Sequence, residues 1–159
     1  MTPGPLRIEI ANQQTALPID EARLAGVAES ILADAGYHAG ELSIAVVDDP
    51  TIHELNRRHL EHDYPTDVLS FVLEESEGSL QGEVIVSADT AITNAEEYGW
   101  PAENELLLYV IHGTLHLVGH RDKSDEETRA MRDAEARYLA SQGVALPDSS
   151  AQPPGAISK

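Results

Sequence analysis

The segment from Glu103 to Val118, ENELLLYVIHGTLHLV, constrains the fold more than any other part of this chain. As a helix it is apolar nearly all round, with no continuous polar side to turn to water. A helix of that kind has to be buried, so the rest of the chain must enclose it. A length of 159 residues suits one domain with a continuous core. An apolar share of 42% belongs to a globular rather than a disordered protein.

The enclosing elements can be read from periodicity. Leu6-Arg7-Ile8-Glu9-Ile10 alternates apolar and polar, the pattern of a half-buried strand. Leu24, Val27, Ala28, Ile31, Leu32 and Ala35 follow helical spacing, and Gly36 is placed to end that helix. Leu42 to Val47 reads as a second, more buried strand. Asp49-Pro50 reads as an N-cap followed by proline at the first helical position, opening a helix that carries Ile52 and Leu55 inward and ends near Asp63. Val68 to Val72 is a third strand behind Pro65-Thr66-Asp67, and Glu83 to Ser87 a fourth. The acidic, glycine-bearing stretch between them, Glu74 to Gly82, reads as an exposed turn. A helix follows from Asp89 to Tyr98, and Trp100-Pro101 restarts the chain before the buried helix. Ser124 with Glu127 forms a capping box for a last helix, which runs to about Gln142 and is stopped by Gly143. The sum is an α/β (α+β) fold, a mixed four-stranded sheet packed with about five helices. One domain is expected over residues 1–147, with a disordered, proline-rich tail over 148–159.

Charge and composition narrow the functions. Ten basic against 28 acidic residues give a formal net charge of −18. Such a surface repels phosphate backbones, so nucleic-acid binding through a general basic face is excluded and a basic protein partner is favoured. If the chain acts on nucleic acid, a local positive feature such as a divalent cation has to override the field. No run approaches the ~18 apolar residues of a membrane span. The opening MTPGPLRIEIANQQ lacks the charged-then-apolar order of a secretory signal, so a cytoplasmic location is expected. With no cysteine, any metal must sit on histidine or carboxylate.

Residues 112–122, HGTLHLVGHRD, crowd three histidines and an aspartate into this apolar setting. His112 and His116 are four apart, hence stacked on one helix face about one turn from each other. Two imidazoles so spaced can share a tetrahedral ion with Zn–N of about 2.0–2.1 Å. Gly119 supplies the left-handed residue at which the chain turns back, bringing Asp122 toward the pair as a third ligand. His120 competes for that role, and the longer return loop favours Asp122. Three protein ligands leave a position open, as in a catalytic rather than a structural zinc site. The spacing is similar to that of metzincin proteases, but those place a glutamate general base after the first histidine. Gly113 stands there and cannot take a proton, which argues against a protease.

HGTLHLVG together with the upstream DYPTDVLSF (residues 63–71) resembles the YbeY family of bacterial metal-dependent endoribonucleases, also described as rRNA maturation factors. The resemblance covers about Leu6 to Gln142, and Leu55-Asn56 and Gly82-Glu83-Val84-Ile85 fit its flanking pattern. It implies a zincin-like helix and one zinc ion on His112, His116 and Asp122, the last standing where histidine is commoner. A two-histidine, one-carboxylate site still suits zinc, and its harder donor set also accepts other divalent ions. The resemblance further implies single-strand-specific cleavage of precursor rRNA near the 3′ end of the small-subunit RNA, and a part in ribosome quality control. Leu60 stands where many relatives have arginine, and Arg57 and Arg58 are the nearest substitutes for substrate contact.

The expected chemistry is polarisation of a phosphodiester oxygen by the ion and attack by water or a 2′-hydroxyl. His120 is a candidate proton acceptor by position, against a plain reading as a solvated loop histidine. His59 and His62 could form a second metal pair, but no third ligand is placed for them and a solvated helix end fits better. Thr66, Asp67 and Ser70 read as fixing the strand entrance. The expected partners are rRNA or the small ribosomal subunit and a basic ribosomal protein, with no membrane. A non-catalytic metal-binding assembly factor is the alternative reading, and a zinc protease ranks third.

Overall fold

Periodicity becomes architecture in a computed structural model that describes residues 5–60, 68–120 and 124–145, with backbone alone for 58–60. Along these residues the order is β1 (Arg7–Asn12), α1 (Glu21–Asp34), β2 (Ala39–Val47), α2 (Asp49–Leu60), β3 (Val68–Ser76), β4 (Ser79–Ser87), α3 (Ala88–Tyr98), α4 (Ala102–Leu117) and α5 (Asp125–Ser141). The strands lie in the order β1-β2-β4-β3. β1, β2 and β4 are parallel and β3 runs antiparallel to β4. This is the mixed four-stranded sheet with five helices that the sequence predicts. Among the described residues no helix is long and apolar enough to cross a membrane.

Side-chain alternation along the strands divides the interior in two. Leu42, Ile44 and Val46 of β2 and Val84 and Val86 of β4 point into the larger core, which α1, α4 and α5 complete. Val47, Leu69 and Ile85 point the other way and meet Ile52 of α2 in a smaller cluster. The predicted burial of α4 is met: every residue from Glu105 to Leu115 is buried. Its position is set from the sheet side by a missing side chain. A Cβ at Gly113 would stand 2.7 Å from Val84 Cγ1, 2.9 Å from Val68 Cγ1 and 3.0 Å from Ser70 Oγ. Ser70 Oγ donates to the Gly113 carbonyl at 2.9 Å, pinning helix to sheet. Ser70 therefore fixes α4 rather than only the start of its own strand.

Two local expectations are corrected. Asp49 is not the cap of α2. Asp48 is, with its Oδ1 accepting from the Thr51 N–H at 2.9 Å; hydrogen bonds from the Thr51 side chain and then from its N–H hold the Asp48 carboxyl below the usual carboxylate range. Asp49 turns instead to the start of α3, where its Oδ1 accepts from Ser87 Oγ and, at 2.7 Å, from Thr90 Oγ1. With two aspartates in succession, tertiary demand for the second decides which one caps. The other correction concerns Glu74 to Gly82, expected as a turn. Strand pairing runs on through Ser76 and Ser79, past a bulge between Val72 and Glu74, and only Glu77-Gly78 form the turn. The end of β3 lies at the sheet edge, exposed from Val72 onward, so no apolar alternation marked it.

Candidate metal centre

The last two turns of α4 carry His112 and His116 on one face. His112 is 3% exposed. The two rings meet edge to face, with centroids 4.6 Å apart and planes at 69°. Their Nε2 atoms lie 3.0 Å from each other. The structure thus brings the two histidines together as their spacing predicts.

α4 then ends where the sequence expects. Gly119 adopts φ 104°, a conformation costly for a residue with a Cβ. The Gly119 N–H donates to the His116 carbonyl at 3.2 Å and the His120 N–H to the Leu115 carbonyl at 3.0 Å. These are the paired bonds of a Schellman turn. Asp122 lies outside the described residues. Among the described residues no three histidine, aspartate or glutamate side chains form a metal-holding cluster.

On the far side of His112 stands a residue that sequence reasoning missed. Glu135 of α5 is 2% exposed, and its Oε2 lies 2.5 Å from His112 Nδ1. The capping box sets the register of α5: Ser124 Oγ accepts from the Glu127 N–H at 3.1 Å, and Glu127 Oε1 accepts from the Ser124 N–H at 3.1 Å. Met131, Ala134, Tyr138 and Leu139 then form the buried stripe, with Glu135 set among them. A carboxylate four residues from both Met131 and Leu139 was the available signal. Tyr138 ties α5 to α1 by donating to Asp34 Oδ2 at 2.6 Å. Burial and that bond raise its pKa, so it stays a donor.

This donor set fits a divalent cation. Two nitrogens on a tetrahedral zinc ion stand about 3.3 Å apart, and the observed pair needs a few tenths of an ångström to match. Both candidate donors are borderline nitrogens free of thiolate competition, since the chain has no cysteine.

The remaining candidates lie elsewhere. Arg57 is on α2, across the sheet from α4, where it pairs with Glu54 through Nη2–Oε1 at 2.6 Å and Nε–Oε2 at 3.1 Å. The side chains of Arg58, His59 and Leu60 are not described, and His62, Thr66 and Asp67 lie outside the described residues, as does the tail expected over 148–159.

Comparison with known proteins places this arrangement. The family described as endoribonuclease YbeY matches residues 9–143. The endoribonuclease YbeY of Rhodopirellula baltica is 47% identical over 126 residues, which cover 78% of this chain and 65% of that longer protein. That of Carboxydothermus hydrogenoformans is 39% identical over 140 residues, 86% of this chain and 97% of the relative. That of Syntrophotalea carbinolica is 41% identical over 140 residues, 84% of this chain and 93% of the relative. The solution structure of TM1509 from Thermotoga maritima has a TM-score of 0.57 and 28% identity, with 86% of this chain and 91% of that one covered. Paired imidazoles on a buried helix, the shared fold and a match that spans nearly the whole domain lead to one conclusion: the chain belongs to the YbeY endoribonuclease family.

Proposed function

We propose that this chain is a metal-dependent endoribonuclease that cuts single-stranded RNA during rRNA maturation in the cytoplasm, with His112, His116 and Asp122 as the metal ligands. The observation that carries the reading is the convergence of two Nε2 atoms at 3.0 Å on a helix buried from Glu105 to Leu115. A divalent ion there, zinc by the chemistry of the donors, would supply Lewis acidity and positive charge at a phosphodiester. The protein's part is to aim the imidazoles, to hold α4 rigid against the sheet through Gly113 and Ser70, and to close the helix at Gly119. Such positive charge also answers the −18 net charge, which otherwise repels RNA.

A protease reading is disfavoured twice over. Gly113 offers no base, and the 2.7 Å and 2.9 Å approaches to Val84 and Val68 leave no room for a glutamate at that position. The acidic surface supports docking on a basic ribosomal protein of the small subunit, with RNA met at the metal. A pull-down from extract should enrich such proteins and lose them in high salt; their absence would remove the partner from the reading.

The deciding experiment compares wild type with His116→Ala, purified identically to control for trace nucleases. Wild type should retain one equivalent of metal and cleave single-stranded RNA, while the variant keeps its circular dichroism spectrum and does neither. A metal-loaded wild type without turnover would instead support the non-catalytic assembly factor.

A further inference from the structure

We infer that Glu135 is a positioning residue that fixes the tautomer and ring orientation of His112, so that α5 completes a site whose first two donors lie on α4. The inference rests on the metal reading proposed above. A carboxylate nearly removed from water is unfavourable unless a donor answers it. Here the answer is His112 Nδ1 at 2.5 Å, in a part of the core otherwise lined by Met131, Ala134 and Leu139.

The direction of that hydrogen bond has a chemical consequence. An ionised carboxylate only accepts, so this contact would assign the shared hydrogen to Nδ1 of His112. The neutral ring then has its lone pair on Nε2, the atom that faces His116 Nε2. Without Glu135 the ring would lose the partner that sets its tautomer and orients it from the α5 side. A ligating histidine held in this way by a carboxylate is also a more basic donor.

A second consequence follows from where Glu135 sits. The chain leaves α4 at Gly119 and enters α5 at Ser124. The His112–Glu135 contact joins those helices across 23 residues of sequence. Glu135 thereby holds together both the helix that bears the two imidazoles and the helix that follows the third proposed donor.

The test uses the full chain in wild-type, Glu135→Ala and Glu135→Gln forms, with zinc affinity measured by competition against a chromophoric chelator. The alanine variant should bind zinc about 10–100-fold more weakly. Glutamine keeps an acceptor without the charge and should fall between the two. Should the alanine variant fail to fold, the isosteric glutamine carries the test. A second readout needs no metal: nitrogen-15 NMR of the metal-free protein should show His112 protonated on Nδ1 in wild type and shifted toward Nε2 protonation in Glu135→Ala. A purely structural glutamate would lower the melting temperature and leave both readouts where they were. Wild-type affinity in both variants, or an unchanged tautomer, overturns the inference. If wild type itself binds no zinc, the metal reading fails, and the tautomer measurement still decides whether Glu135 orients His112.

Discussion

The two faces of the sheet are built to different depths. On one, α1, α4 and α5 close over a core that runs from Leu17 to Val144, with α4 buried on all sides. On the other, among the described residues, α2 covers Val47, Leu69 and Ile85 through Ile52, with Ala45, Leu55 and Phe71 at the margin. Both candidate imidazoles are on the deep side. The contrast shows what a metal site asks of a fold: donor atoms have to stay within tenths of an ångström, and a close-packed interior holds them there. The shallow side has no such demand and can leave polar and apolar side chains half covered.

Paired truncations put this contrast at risk. Ile111→Ala, in the deep core, should cost about 4 kcal/mol of unfolding free energy in urea titration, and Ile52→Ala, in the four-residue cluster, about 2–3 kcal/mol because that site relaxes more easily. Equal costs would break the comparison. At temperatures where both variants are folded, only the first should also weaken metal retention. Gly113→Ala comes next, at about 1–3 kcal/mol, since Val84 and Val68 must give way to the new methyl group. A thermal melt indistinguishable from wild type would show that α4 is not held where the geometry puts it.

Smaller effects sharpen the picture. Ser124→Ala removes the cap of α5 and should cost about 1 kcal/mol in the same titration. Because α5 carries Glu135, it should also loosen His112, read as faster hydrogen exchange at the C-terminal turns of α4. Leu73→Thr, at an edge position 62% exposed, should change stability by less than about 0.5 kcal/mol. A larger loss there would mean that the end of β3 is covered in solution.

Much of this was legible in advance because it depends on local period and local chemistry. Helical spacing placed Leu24 to Leu32 of α1 inward, the Ser124–Glu127 pair marked the start of α5, and Gly119 marked the reversal after α4. The four-residue interval put His112 and His116 on one face. The distal end of the hairpin, from Glu74 to Gly82, was not legible, since an edge strand exposed on both sides carries no alternation to read. The choice of Asp48 over Asp49 as a cap was equally hidden: either can cap a helix, and the start of α3 claims the second. Glu135 was hidden among the acidic residues of DEETRAMRDAEARYLAS, in which most carboxylates face water.

By itself the sequence determined which segments are helix or strand, which side of each is apolar, and that two imidazoles would stack one turn apart, because periodicity assigns a residue to a face. It did not determine which element would meet that face. Tertiary packing decided that α5 delivers its one buried glutamate to His112, and that α4 approaches the sheet through Gly113, because those contacts join residues distant in sequence and depend on how close two surfaces can come.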